Sequence, residues 1–137
     1  MTEIRFAASD DREVVVALWE RCGLTRPWND ARADFDRAIA GPTSAILIAG
    51  NGSDVLGTAM VGTDGHRGWV YYLAVDPLIR RSGIGARLMS SAEEWLGAAG
   101  APKIQLMVRR GNDVAESFYR AIGFEASDVV VHEKWLT

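Results

Sequence analysis

Cysteine is almost absent from this sequence of 137 residues: Cys22 stands alone, so no internal disulfide can form. Histidine is nearly as scarce. His66 and His132 have no cysteine or histidine nearby to complete a zinc-ligand set, and no metal is expected. No apolar run approaches the ~20 residues that span a bilayer. The acidic start, MTEIRFAASDDREV, lacks the basic-then-apolar layout of a secretory signal, so a cytoplasmic protein with no membrane partner is expected. Positive charge is also short, with 15 Lys and Arg against 18 Asp and Glu and a net charge of −3. Arginines sit side by side only at Arg80-Arg81 and Arg109-Arg110, which leaves no basic face for nucleic acid. Repeats, linkers and low-complexity segments are missing too, and the length fits one domain over residues 1–137.

What is present is a run of periodic segments separated by turn residues. Glu3 to Ala7 suits a first strand. Val14, Val15, Leu18, Trp19 and Cys22 recur at helical steps behind Asp10 or Asp11 as a cap, and Gly23 ends that helix. A loop over Thr25 to Asp30 leads to a second helix, capped by Asn29 or Asp30, that buries Phe35, Ala38 and Ile39. Strands are predicted near Ala45–Ala49 and Val55–Thr63 with a turn at Asn51-Gly52, which makes Asn51-Gly52-Ser53 a hairpin rather than a glycosylation site. A strand over Trp69–Val75 stops at Asp76-Pro77. The long helix from Gly83 to Ala99 carries Ile84, Leu88, Ala92, Trp95, Leu96 and Ala99 on its apolar face. Lys103–Val108 reads as a strand, Asn112 as the cap of a helix containing Phe118 and Tyr119, and Val129–Trp135 as a last strand. The order β-α-α-β-β-β-α-β-α-β implies an α/β chain (α+β in its strand clustering), with a mixed sheet and helices on both faces.

Chemistry concentrates between the Val75 strand end and the long helix. A helix N-terminus offers unbonded N–H groups and a partial positive charge. Gly83 and Gly85 let that backbone approach a phosphate, and Arg80 and Arg81 add full charge beside it. A pyrophosphate-bearing ligand fits. The third glycine of a dinucleotide fingerprint is missing after Gly83-Ile84-Gly85, and the chain contains no G-K-[ST] to close a P-loop. NAD and ATP are therefore disfavoured.

Arg80-x-x-Gly83-x-Gly85 resembles the Q/R-x-x-G-x-G/A signature of the GNAT superfamily of N-acetyltransferases. Tyr72-Leu73-Ala74-Val75-Asp76-Pro77 resembles the end of that family's fourth strand. Asn112 with Ser117-Phe118-Tyr119-Arg120-Ala121-Ile122-Gly123-Phe124 resembles its N…FY…GF segment. Arg26 to Asp30 and Asp64 to Gly68 are similar to the bacterial YpeA group within it. Arg81 departs from the pattern, where many members carry glycine. The resemblance implies a central, mostly antiparallel sheet splayed after strand four, and acetyl-CoA as cosubstrate. It further implies backbone contacts from Leu73 and Val75 to the pantetheine arm, with the amides of Arg81, Ser82, Gly83, Ile84 and Gly85 on the pyrophosphate. Arg80 and Asn112 would contact the cofactor, Val75 N–H would polarise the thioester carbonyl, and Tyr119 would be the general acid.

The acceptor amine must be neutral to attack. A lysine amine near pKa 10.4 is only about 1 part in 2,500 neutral at pH 7, so a base is expected. Asp64, His66 and Glu20 are candidates, and Trp28 is a candidate substrate contact. A small-molecule or protein amine is the expected acceptor, and a homodimer is a possible assembly. The alternative reading is a non-catalytic acyl-CoA sensor that uses the same cleft.

Overall fold

A computed structural model describes residues 2–137. The chain divides into two compact units, Met1–Met107 and Val108–Thr137. In the first, strands β1 (Glu3–Phe6), β2 (Ser44–Asn51), β3 (Asp54–Thr63), β4 (Gly68–Val75) and β5 (Ile104–Gln105) form one sheet in sequential order. The first four are antiparallel and β5 joins β4 in parallel, so the sheet is mixed as expected. Helices α1 (Arg12–Arg21) and α2 (Ala31–Ala40) cover one face, and α3 (Ile84–Ala98) covers the other.

Alternation along the strands decides which side chain meets which layer. Ile46 and Ile48 of β2 join Val15, Val16, Leu18, Trp19, Phe35 and Ala38 in the core beneath α1 and α2. On the far face Ile84, Leu88, Met89, Ala92 and Leu96 of α3 are buried. Gly68 leaves room there: a Cβ on it would lie 2.7 Å from Leu96 side-chain carbons. Asp30 caps α2 by accepting from the Ala33 N–H at 3.1 Å, as its residue type predicts. The β2–β3 turn is displaced by one residue from Asn51-Gly52. Asn51 still pairs with Asp54, and Gly52-Ser53 forms the loop with Gly52 at φ 59°.

Three expectations fail locally. Val14 is 49% exposed, because the core contacts of α1 are taken by Val15, Val16, Leu18 and Trp19. Asp11 caps no helix with its side chain. Instead it receives a two-pronged Arg5 guanidinium at 2.8 and 2.9 Å and the Ala8 N–H at 2.8 Å. Lys103–Val108 shortens to the two residues of β5.

The Asp11 cluster predicts an acid-side effect. The Arg5 guanidinium first, and the Ala8 N–H as well, hold this carboxylate below its ordinary pKa against the opposing effect of burial. The folded chain thus binds that proton less readily than the unfolded one. The resulting stability is present above the unfolded pKa of ~3.9 and is lost as pH falls through the lower folded value. A melting series across the acid range should show Tm falling less steeply for Asp11→Asn than for the wild type. Identical slopes would show that the pair adds nothing.

The second unit contains α4 (Asp113–Ala121). Residues 125–137 hold neither helix nor strand, so the strand expected at Val129–Trp135 is absent among the described residues. Val129, Val130, Val131 and Trp135 are exposed. A β-branched run favours extended backbone, but only a neighbouring edge makes it a strand, and none pairs with it.

Candidate functional site

β4 changes character halfway along. Thr58 faces Ala74 and Met60 faces Tyr71, so Tyr72 and Leu73 together oppose the single residue Ala59. This is a β-bulge, and Tyr72 absorbs it with φ of 51°. Bonding in an antiparallel pair alternates between facing and outward residues. Because Asp76 N–H donates to the Leu56 carbonyl at 2.8 Å, Ala74 also faces β3, and Val75 turns its N–H and C=O away. On that outer side β4 is paired, among the described residues, only at Gly68 and Trp69, opposite Ile104 and Gln105. The edge beyond is open, which is the splay. Leu73 lies in the bulge and Val75 just past it.

The chain then crosses a tight turn, Pro77–Ile79, whose Leu78 N–H donates to the Asp76 carboxylate at 3.0 Å. It enters α3 through two left-handed residues, Arg81 at φ 70° and Gly83 at φ 83°. Gly83 caps nothing with a side chain, and the first turn of α3 holds no acidic residue. The first helical bond runs from Arg87 N–H to the Gly83 carbonyl at 3.1 Å, so the N–H groups of Ile84, Gly85 and Ala86 have no partner within the helix. Arg80 and Arg81 are exposed and form no ion pair among the described residues. The result is a concave array of backbone donors at the positive end of a four-turn helix, suited to an anion.

Arg81 explains the departure noted in the sequence. A left-handed non-glycine residue costs roughly 1–2 kcal/mol, which glycine avoids at the expense of more freedom in the unfolded chain. The two effects nearly cancel. Arg81→Gly should therefore leave stability within about 1 kcal/mol of the wild type in urea unfolding. A larger loss would show that the arginine side chain holds the turn.

Three contacts missed by sequence reasoning fix this strand–turn–helix unit. The Cys22 thiol donates to the Val75 carbonyl at 3.3 Å, and Arg21 reaches the Asp76 carboxylate at 3.4 Å, tying the end of α1 to the end of β4. Gly57 of β3 lets α3 approach, since a Cβ there would lie 2.9 Å from both the Ala74 carbonyl and Leu88 Cδ1 and 3.0 Å from Ile84 Cγ2. The signal for Gly57 was available, because an isolated glycine inside a strand marks a close approach.

Asp64 and His66 lie in the β3–β4 turn, at the opposite end of β4 from Val75. The eight residues of β4 set them about 20 Å apart at the usual strand rise. Asp64 accepts from the N–H groups of Arg67 at 2.7 Å and His66 at 2.8 Å. Those bonds, Arg67 first, hold its carboxylate below the ordinary pKa. Asp64 is a turn-forming residue, and neither it nor His66 reaches the Val75 end of the strand. Glu20 is exposed on the last turn of α1, two residues before Cys22. Trp28 is 57% exposed in the loop between α1 and α2.

In the second unit, Asn112 accepts from the Ala115 N–H at 3.1 Å, capping α4 and leaving its amide NH₂ free of that bond. Tyr119 packs edge-on against Phe118 at 5.1 Å and Phe124 at 5.7 Å. Burial raises its pKa, so the phenol is protonated at neutral pH. Gly123, at φ 101°, ends the helix and returns Phe124 N–H to the Tyr119 carbonyl at 2.9 Å.

Comparison with known proteins adds four findings. The sequence model of the acetyltransferase (GNAT) family matches residues 5–124. An acetyltransferase of Pectobacterium atrosepticum is 43% identical over 134 residues, covering 98% of this chain and 95% of its own. Among solved structures, an aminoglycoside acetyltransferase, AAC(6')-Iy, bound to a bisubstrate analogue of CoA superposes with TM-score 0.86 at 17% identity, covering 100% of this chain and 99% of the other. A chain described as a predicted acetyltransferase from Clostridium acetobutylicum, with acetyl-CoA, gives 0.81 at 18% identity, covering 98% and 96%.

Proposed function

The chain belongs to the GNAT family of acetyltransferases, and on that premise we propose that it transfers the acetyl group of acetyl-CoA to a primary amine held beside the open edge of β4. The observation that carries this reading is the continuity of the bulged strand, the Pro77–Ile79 turn and the unpartnered N-terminus of α3. Bound acetyl-CoA supplies the acetyl thioester; the chain supplies donors. The amides of Arg81, Ser82, Gly83, Ile84 and Gly85 meet the pyrophosphate, and the exposed Arg80 guanidinium adds charge. Peptide groups of Leu73 and Val75 meet the pantetheine arm, and the Asn112 amide assists. Val75 N–H, aimed at the open edge, polarises the thioester carbonyl.

Tyr119 presents its O–H to the departing sulfur. A thiol of ordinary pKa ~8.5 is a stronger acid than a tyrosine raised above ~10, so complete transfer is uphill by at least about 2 kcal/mol. The hydroxyl therefore stabilises the developing thiolate as a hydrogen-bond donor before any proton leaves it. Asp64, His66 and Glu20 remain the candidate bases, and variants of each in the turnover assay choose among them. Trp28 is a substrate contact in this reading.

Solved aminoglycoside acetyltransferases of this fold support a small aminoglycoside-like acceptor over a protein one. The exposed, unpaired run Val129–Trp135 supports a homodimer in which that run finds its edge, which light scattering measures. The deciding experiment is acetyl-CoA turnover over aminoglycosides, simple amines, peptides and proteins. Thiol release with one acceptor class identifies it. Tight acetyl-CoA binding with no turnover on any acceptor would replace the enzyme with an acyl-CoA sensor.

A further inference from the structure

Behind the β4 bulge, side chains from four elements form one connected set. Trp19 of α1, fully buried, donates its Nε1–H to Thr58 Oγ1 of β3 at 2.9 Å. Thr58, the one buried polar residue among those described, donates its hydroxyl to the Tyr72 carbonyl at 3.0 Å. The Tyr72 ring stacks on Trp19 with centroids 3.8 Å apart and 12° between planes. Its hydroxyl donates to Asp34 Oδ2 of α2 at 2.8 Å. Three of these four links engage Tyr72, the residue whose backbone makes the bulge.

The arrangement is costly. Tyr72 holds a left-handed φ of 51°, unfavourable by roughly 1–2 kcal/mol for an L-residue. A threonine hydroxyl buried without partners would add a further penalty, and here both its donor and acceptor roles are filled. A core made only for stability would place valine at this position and a regular strand opposite it. Without the bulge, however, the same residues would continue the register of Tyr71 with Met60 and place Val75 opposite Leu56, and that one-residue slip reverses the side to which every later group points. Val75 N–H would then face β3 rather than the open edge.

We infer that Trp19, Thr58, Tyr72 and Asp34 are positioning residues that hold the β4 bulge and thereby aim the Leu73 and Val75 peptide groups at the acyl donor. The inference rests on the donor reading above, but its structural half can be measured without any ligand. Thr58→Val keeps the side-chain shape and removes the hydroxyl, and Thr58→Ser keeps the hydroxyl and removes the methyl. Three readouts apply: amide hydrogen exchange in the free protein at Ala74 and Asp76, whose N–H groups face β3 just past the bulge, calorimetric Kd for acetyl-CoA and for CoA, and kcat.

Thr58→Val should speed exchange at these amides and lower kcat by about 10-fold, with a smaller change in KM for the amine, as expected for a misplaced donor. It should also narrow the preference for acetyl-CoA over CoA. Thr58→Ser should restore kcat to within about twofold of wild type even though it, too, loses stability, because the hydroxyl is what the bulge needs. Equal kcat and equal exchange in Thr58→Val and wild type would overturn the inference, as would a serine variant impaired as much as valine. If Thr58→Val does not fold, Tyr72→Phe tests the same link by releasing Asp34 while keeping the stack on Trp19. Faster exchange at Ala74 and Asp76 is then the expected result, and unchanged exchange the contrary one. Failure of the donor reading looks different: the wild type itself would bind no acetyl-CoA, while the exchange comparison would still decide whether the bulge depends on Thr58.

Discussion

Replacing Tyr119 by phenylalanine is expected to lower kcat by about 10²-fold or more, the usual contribution of a positioned proton donor, while Kd for acetyl-CoA stays within about twofold. The separation follows from how Tyr119 is held. Its ring is packed by Phe118 and Phe124, contacts that phenylalanine preserves, and its hydroxyl makes no hydrogen bond among the described residues. The substitution thus removes one donor and leaves the packing intact. The pH profile supplies a second check. Because burial raises the Tyr119 pKa, the donor stays protonated through the neutral range and beyond the ordinary tyrosine value of ~10. The alkaline loss of kcat attributable to this group should therefore begin only above about pH 10. A fall near pH 7 that persists in the variant would assign the acid to another residue, and an unchanged kcat in Tyr119→Phe would remove Tyr119 from the chemistry.

The second large effect is expected at Gly57, a residue that touches no ligand in the proposed reading. Valine there should destabilise the fold by about 1–3 kcal/mol, as overpacking does, and should weaken acetyl-CoA binding at least tenfold. A Cβ on Gly57 would meet the Ala74 carbonyl, Leu88 Cδ1 and Ile84 Cγ2 at 3.0 Å or less. Leu88 can turn aside. The Ala74 carbonyl belongs to the paired strand and cannot move without disturbing the register that follows the bulge. Ile84 is the first residue of α3, so the added bulk displaces the donor array of the helix start relative to Val75. Urea unfolding and calorimetry together measure both consequences. Weakened binding with unchanged stability would show that α3 shifts freely, and unchanged binding would show that the exact seating of α3 on β3 is irrelevant to the donor.

Local signals predicted much of the fold. Asp30 and Asn112 cap helices because an Asx side chain satisfies a free N–H three residues on, a matter settled within one turn. Of the predicted α3 stripe, Ile84, Leu88, Ala92 and Leu96 are buried, with Met89 added, while Trp95 is half-buried and Ala99, past the helix end, is exposed. Errors fell where the deciding contact is distant in sequence. Val14 is apolar and at a helical step, yet the face of α1 that meets the sheet is set by β2 and β3. Val129–Trp135 has strand composition without a strand partner. How far the candidate bases Asp64 and His66 lie from Val75 is likewise beyond the reach of residue type, since the length of β4 sets it.

By itself, then, the sequence determined the order of the elements, the caps, and a segment from Arg80 to Gly85 able to face an anion, because each depends on residues within a turn or two of one another. Tertiary structure alone decided the bulge at Tyr72, the left-handed Arg81, the close seating of α3 over Gly57 and the thiol of Cys22 on Val75. Those features depend on pairs such as Trp19 with Thr58, 39 positions apart, and Cys22 with Val75, 53 apart. No periodicity carries information across such separations. Only the folded sheet, with one extra residue forced into β4, turns the Val75 amide outward to the edge where the donor segment begins.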